Sequence, residues 1–151
     1  DQLILSAKSL PDLGLKEAHF PVPYYTQDSL YVTVNYGTDD VSQLFSSSLD
    51  GLNYTWKKII PEEDKMTAFE IQNDEIFFVT HRENEKSELC VAAIADYSFE
   101  KNKKIELPDE NVVIESLLSD KSNIYLSVLK NGCNEIFKIN IGSIPKKPKD
   151  E

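Results

Sequence analysis

Two histidines, two cysteines and several knots of carboxylates are the groups in this 151-residue chain that could do chemistry. His19 and His81 are too few, and too unmatched in spacing with Cys90 and Cys133, for a structural zinc site, which needs four ligands in close pairs. His19 precedes a Phe-Pro pair and is expected to pack on a strand, whereas His81 leaves a strand for a turn and is expected to be exposed. Asp39-Asp40, Glu62-Glu63-Asp64 and Asp109-Glu110 have the composition of paired acids or calcium ligands. Each stands just beyond a strand-like run, where acids keep loops solvated and sheet edges unattractive to other chains, and that is the simpler reading. Ser46-Ser47-Ser48 lies in a strand-like run with no base nearby, so polar facing explains it. A hydrolase serine sits in a G-x-S-x-G elbow because only glycine lets the chain turn so sharply. The five glycines, Gly14, Gly37, Gly51, Gly132 and Gly142, never bracket a serine in that way, nor do they make a phosphate-binding loop. The expectation is no catalytic residue, no metal and no cofactor in this chain. Asn53-Tyr54-Thr55 matches a glycosylation acceptor.

The elements that would position such groups are strands. Runs rich in Val, Ile, Tyr, Phe and Thr recur between Gly, Asp, Asn and Pro clusters, and helical periodicity is scarce. Leu30 to Val34, Ile76 to Thr80 and Ile124 to Val128 each lead through a polar turn to a second run: Gln43 to Ser46, Glu88 to Val91 and Glu135 to Lys138. The hairpins begin at Ser29, Glu75 and Asn123, steps of about 46 and then about 48 residues, inside the range of about 40–50 for four-stranded propeller blades. An outer and an inner strand complete each unit: Trp56 to Pro61 before Thr67 to Ile71, and Lys104 to Pro108 before Val112 to Glu115. Leu3-Ile4-Leu5 reads as a leading rim strand, Leu10 to Glu17 as a short helix, and His19 to Tyr25 as an inner strand roughened by Pro21 and Pro23. The pattern predicts an all-β partial propeller, about three antiparallel four-stranded blades and about twelve strands, over residues 1–143. It holds a leading rim strand, two whole blades and most of a third, with a basic Pro/Lys tail or linker at 144–151.

The net charge of −10 argues against nucleic acid, whose phosphates need clustered Lys and Arg. No apolar run approaches the roughly 18 residues of a membrane helix. Cys90 and Cys133 each lie in an apolar run, so two reduced core thiols are expected over one bridge. The chain starts at Asp1 without a leader and reads as an excised or processed piece; cytoplasmic and periplasmic locations are both compatible.

Three stretches carry a family resemblance. Tyr31 to Phe45 runs strand, glycine turn at Gly37, acids Asp39-Asp40, then a hydrophobic strand; Trp56 precedes the basic-apolar Lys57-Lys58-Ile59-Ile60. Phe78-Val79-Thr80-His81-Arg82 matches a Phe-x-Thr-Asn-Arg-like stretch, with His81 in place of the asparagine. In this succession, followed from Gln2 to Asn140, the chain resembles the propeller of prolyl oligopeptidase-family (S9) serine peptidases. The resemblance implies a seven-bladed parent propeller capping an α/β-hydrolase domain, with the peptide substrate cleaved between them and large folded proteins excluded. It also implies cavity-facing residues. The family's arginine and nearby cysteine of the glycine turn fall at Asn35 and Thr38, which removes a charge that would hold a peptide carbonyl, while Arg82 keeps the family residue. The partners implied are the hydrolase domain, the remaining blades and the peptide, and the unclosed stack is expected to self-associate. Two other readings stand beside it: a propeller scaffold for protein interaction without peptidase activity, and a small ligand-binding β-sandwich.

Overall fold

The computed structural model describes residues 3–6, 11–16, 19–26, 29–48 and 54–144. Gln2, Asn53 of the glycosylation acceptor, Gly51, Leu10, Glu17 and the basic tail from Pro145 lie outside the described residues. The chain divides into two compact units, Asp1–Thr67 and Ala68–Glu151.

The first unit is an antiparallel meander of β1 (His19–Tyr25), β2 (Ser29–Tyr36), β3 (Ser42–Ser48) and β4 (Lys57–Ile60), each paired with the next. Pro21 and Pro23 are accommodated because β1 is the edge of this meander, where a missing N–H breaks no ladder. Alternation on β2 sends Val32 and Val34 into a core with Leu15 and Phe45, against which Leu5, Leu13 and Trp56 pack. Leu3 to Ser6 forms no strand, contrary to the rim strand expected there, and the expected helix reduces to a 3-10 turn at Pro11–Leu13. The Trp56 indole donates to the Ile4 carbonyl at 3.3 Å, so this segment is anchored by a side chain rather than by a ladder.

Strand β5 (Met66–Gln72) starts in the first unit, where Met66 pairs with Ser42, and continues into the second. There β5, β6 (Glu75–Thr80), β7 (Glu88–Ala93) and β8 (Lys103–Lys104) follow one another in a second meander. β8 is shorter than the sequence suggests, although the Ile105 N–H still donates to the Leu89 carbonyl at 2.8 Å. A third meander has three strands, β9 (Val113–Ser119), β10 (Asn123–Lys130) and β11 (Cys133–Asn140). The hairpins start where the spacing placed them, at Ser29, Glu75 and Asn123. The β5–β6 and β10–β11 connections are two-residue turns with positive φ at both positions, Asn73-Asp74 (50° and 64°) and Asn131-Gly132 (51° and 78°), the twist that suits antiparallel strands.

The second unit's core lies between its two meanders. Phe77 and Val79 of β6, with Leu89 and Val91 of β7, face Ile114 and Leu117 of β9 and Ile124, Leu126 and Val128 of β10. Ile105 and Val112, from the crossing segment, fill the gap between the sheets. Each such side chain taken from water contributes about 1.5–3 kcal/mol, so this seam dominates the unit's stability. β6 is buried on both faces, since Ile76 and Phe78 are as enclosed as Phe77 and Val79, which explains why it reads as an unbroken apolar run. The chain is therefore all-β and antiparallel, and no sheet closes on itself among the described residues.

Candidate functional site

Asn35 lies near the end of β2, half-buried, where its amide donates to the Ser42 hydroxyl at 2.8 Å and reaches the Val41 carbonyl at 3.5 Å. It braces the β2–β3 turn. Gly37, at φ 58°, makes that turn possible, and the Asp39 N–H donates to the Tyr36 carbonyl at 3.0 Å. The Asp39 carboxylate in turn accepts from the Val41 N–H at 3.1 Å, which is the turn role expected of this acid. Thr38 is exposed at the turn's tip. One turn thus brings Asn35 and Thr38 together, both uncharged.

Arg82 belongs to the second unit, in the loop after β6. Its N–H donates to the Thr80 hydroxyl at 3.1 Å, fixing the chain as it leaves the strand. The guanidinium lies 4.1 Å from the centre of the Phe99 ring, with Glu100 at 3.8 Å. A cation over a ring face keeps its charge while shedding part of its hydration, so Arg82 is a positioned donor rather than a loose one. Glu100 titrates below its ordinary value chiefly because Ser98 donates to it at 2.8 Å; Arg82 adds a smaller pull.

The histidines serve local backbone. His19 Nδ1 lies 2.8 Å from the Lys16 N–H and 3.0 Å from the Lys16 carbonyl, with its ring 5.0 Å from that of Tyr36. His81 Nδ1 lies 3.1 Å from the Glu85 carbonyl, and His81 itself is half-buried at the start of an otherwise largely exposed loop. Among the acidic knots, Asp109 pairs with Lys130 at 2.8 Å, and that lysine is the first reason its carboxyl titrates low. Another carboxylate held low lies outside those knots. Asp120, in the β9–β10 turn, accepts from the Ser122 and Asn123 N–H groups at 2.7 Å and from the Tyr125 hydroxyl at 2.9 Å, which hold it at about 2.

The cysteines separate. Cys90 is buried on β7, and desolvation, with Glu88 and Glu83 adding to it, pushes its thiol up to about 12. Cys133 is exposed beside the β10–β11 turn, correcting the expectation of two core thiols, because among the described residues β11 is the edge of its sheet and that end is uncovered. One thiol per chain is therefore expected to react with a maleimide in the native protein and two in urea. Two native equivalents, or none, would contradict this burial.

A cleft of about 310 Å³ opens between the β6–β7 loop and the segment after β8, lined among others by Ser87, Glu88, Leu89, Lys104, Ile105 and Glu110. Lys104 and Glu88 neutralise each other across it at 3.1 Å. Sequence reasoning also missed three contacts that join neighbouring meanders: Ser87 with Ile114, Gln72 with Ser119, and Ser119 with Glu70. Gln72 and Ser119 are 47 residues apart, one repeat, which is the signal that could have paired them.

No family model matches the chain, and no curated protein matches its sequence. Solved structures do. One is a prolyl endopeptidase from a study of inter-domain dynamics in catalysis and specificity: TM-score 0.65, 13% identity, 85% of this chain and 19% of that one. Another is prolyl oligopeptidase B from Galerina marginata without ligand: TM-score 0.65, 10% identity, 84% of this chain and 19% of that one. The chain thus has the fold of a propeller portion of such proteins and spans about a fifth of their length.

Proposed function

We propose that this chain is the non-catalytic propeller part of a prolyl oligopeptidase-like serine peptidase, gating peptide access to a separate α/β-hydrolase domain. The observation that carries the reading is the fold match over 85% of the chain against 19% of a prolyl endopeptidase. In this reading β1 to β4 and β5 to β8 are two whole blades and β9 to β11 most of a third, of seven in the parent. Their function is to admit short, unfolded peptides and to keep folded proteins from the reacting serine. Asn35, Thr38 and Arg82 face the peptide cavity, with Arg82 the charged donor for a peptide carbonyl. The remaining blades and the hydrolase domain are the partners.

Bond cleavage belongs to the hydrolase domain, since the 151 residues hold no G-x-S-x-G elbow. The test is to express the complete reading frame that contains this segment and assay it beside the 151-residue chain. The complete protein is expected to cleave short proline-containing peptides, to be blocked by a serine-directed inhibitor and to leave folded proteins intact. The chain by itself is expected to be inactive. A reading frame without an elbow followed by Asp and His, or inhibitor-sensitive turnover by the chain alone, defeats the proposal.

A further inference from the structure

The cleft between the β6–β7 loop and the segment after β8 carries two cations and two anions, and only one of each is matched. Lys104 reaches Glu88 at 3.1 Å, and Glu88 is the more enclosed of the two side chains, 13% exposed against 49%. Lys86 makes no ion pair among the described residues. Its ammonium donates instead to the neutral side-chain oxygen of Asn111 at 3.4 Å. Glu110, on the cleft's other wall, likewise has no ion-pair partner within contact distance among the described residues. Its charge is nevertheless felt inside: Lys104 titrates above its ordinary value first because Glu88 accepts its hydrogen bond, and further because Glu110 adds negative charge nearby.

Between these charges the lining is aliphatic, with Leu89 and Ile105 buried and Leu107 half-buried. The walls are held from behind. The Asn84 side chain accepts from the Lys86 N–H at 2.9 Å, and its backbone carbonyl accepts from the Ser87 N–H at 3.1 Å. Ser87 has φ 81° and bonds the Ile114 N–H through its hydroxyl; a residue other than glycine keeps such a conformation only where its surroundings impose it. Opposite, the Asn111 N–H donates to the Asp109 carboxylate at 2.8 Å, and Lys130 holds that carboxylate at 2.8 Å. Walls fixed before a ligand arrives have little entropy left to lose on binding.

We propose that this cleft binds a zwitterionic dipeptide with aliphatic side chains, its carboxylate against Lys86, its ammonium against Glu110 and its side chains on Leu89, Ile105 and Leu107. The volume of about 310 Å³ is at the small end of the range, about 300–1,000 Å³, in which small ligands bind, so it suits a ligand of this size rather than a folded partner. A ligand of one sign meets a like charge on one wall, and a neutral ligand gains from neither. Only a ligand that carries both charges, set apart, gains on both walls. The site lies wholly within the second unit and stands whether or not the parent protein is a peptidase.

The test titrates the 151-residue chain with leucyl-leucine and reads amide chemical shifts by heteronuclear NMR. Saturable shifts are expected at Ser87, Leu89, Ile105 and Asn111, with a dissociation constant in the millimolar range because Lys86 and Glu110 are exposed. N-acetyl-leucyl-leucine amide, which keeps the side chains and lacks both charges, is expected to bind roughly fivefold more weakly. Glycyl-glycine, which keeps the charges and lacks the side chains, is expected to bind roughly tenfold or more weakly. Lys86→Gln is expected to weaken leucyl-leucine roughly threefold and to leave leucyl-leucine amide, which has no carboxylate, unchanged. Glu110→Gln is expected to do the same to leucyl-leucine and to leave N-acetyl-leucyl-leucine, which has no ammonium, unchanged. A merely structural role for either side chain would weaken each pair of compounds alike. No saturable shift at these amides, a doubly capped compound that binds as tightly as leucyl-leucine, or a variant that weakens both of its compounds equally overturns the proposal.

Discussion

Replacing Phe77 with alanine is expected to lower the stability of the second unit by about 3–5 kcal/mol, because a large ring leaves the centre of the seam and its walls relax only partly. Phe77 is 1% exposed and pairs with Val91 of β7, while its ring meets the residues of β9 and β10 in the same cluster. Since this cluster joins two meanders, the loss is felt by both sheets. Leu118→Ala, at a side chain 67% exposed, is the matched control and is expected to change stability within about 0.5 kcal/mol. Urea unfolding followed by circular dichroism and by amide exchange in β6 and β10 measures both, with the midpoint moving at constant slope. A Phe77→Ala loss no larger than that of Leu118→Ala would mean that the two sheets do not share this core.

Ser87→Ala is expected to destabilise by about 1–3 kcal/mol, more than a surface serine would, because it orphans a buried N–H. The Ser87 hydroxyl oxygen accepts from the Ile114 N–H at 3.0 Å, both residues are buried, and the bond ties the β6–β7 loop to the start of β9. Ser87 also has φ 81°, a left-handed conformation in which a Cβ is strained. Ser87→Gly loses the same bond but relieves that strain, so it is expected to be about 1 kcal/mol more stable than Ser87→Ala and still less stable than wild type. Urea midpoints rank the three proteins, and amide exchange at Ile114 reports the bond directly. Equal stability of the alanine and glycine variants would refute the strain argument, and unchanged exchange at Ile114 would refute the hydrogen bond.

What the sequence made legible depended on local alternation and local turns. The starts at Ser29, Glu75 and Asn123 were readable because a period-2 apolar run and a turn residue meet there, and neither needs knowledge of distant chain. His19 to Tyr25 was readable as a strand in spite of Pro21 and Pro23, whereas the reason they fit, that β1 is an edge, is something alternation does not report. Leu3-Ile4-Leu5 has a strand's composition but no ladder among the described residues, and Cys133 opens a strand yet is exposed. Both misreadings share a cause: burial of a sheet residue is decided by the sheet next door. The same holds at the candidate site. Arg82 could be singled out by its position after Phe78-Val79-Thr80, yet its stacking on Phe99 depends on how the segment after β7 returns along the sheet. The clamp on Asp120 went unread because two of its donors are backbone N–H groups, which residue types do not announce.

Among the described residues, and apart from the Ser42–Met66 pairing, the ladders join strands that follow one another in the chain, so each sheet needs only the residues already made when its last strand is reached. Loop closure between such neighbours is fast, with hairpins forming in about 1–10 μs, whereas a ribosome adds only about 5–20 residues each second. Each meander therefore has ample time to assemble as it leaves the exit tunnel, long before later sequence is translated. The vulnerable moment in biosynthesis falls between one sheet's completion and the arrival of the next, when a freshly formed apolar face waits uncovered for several seconds.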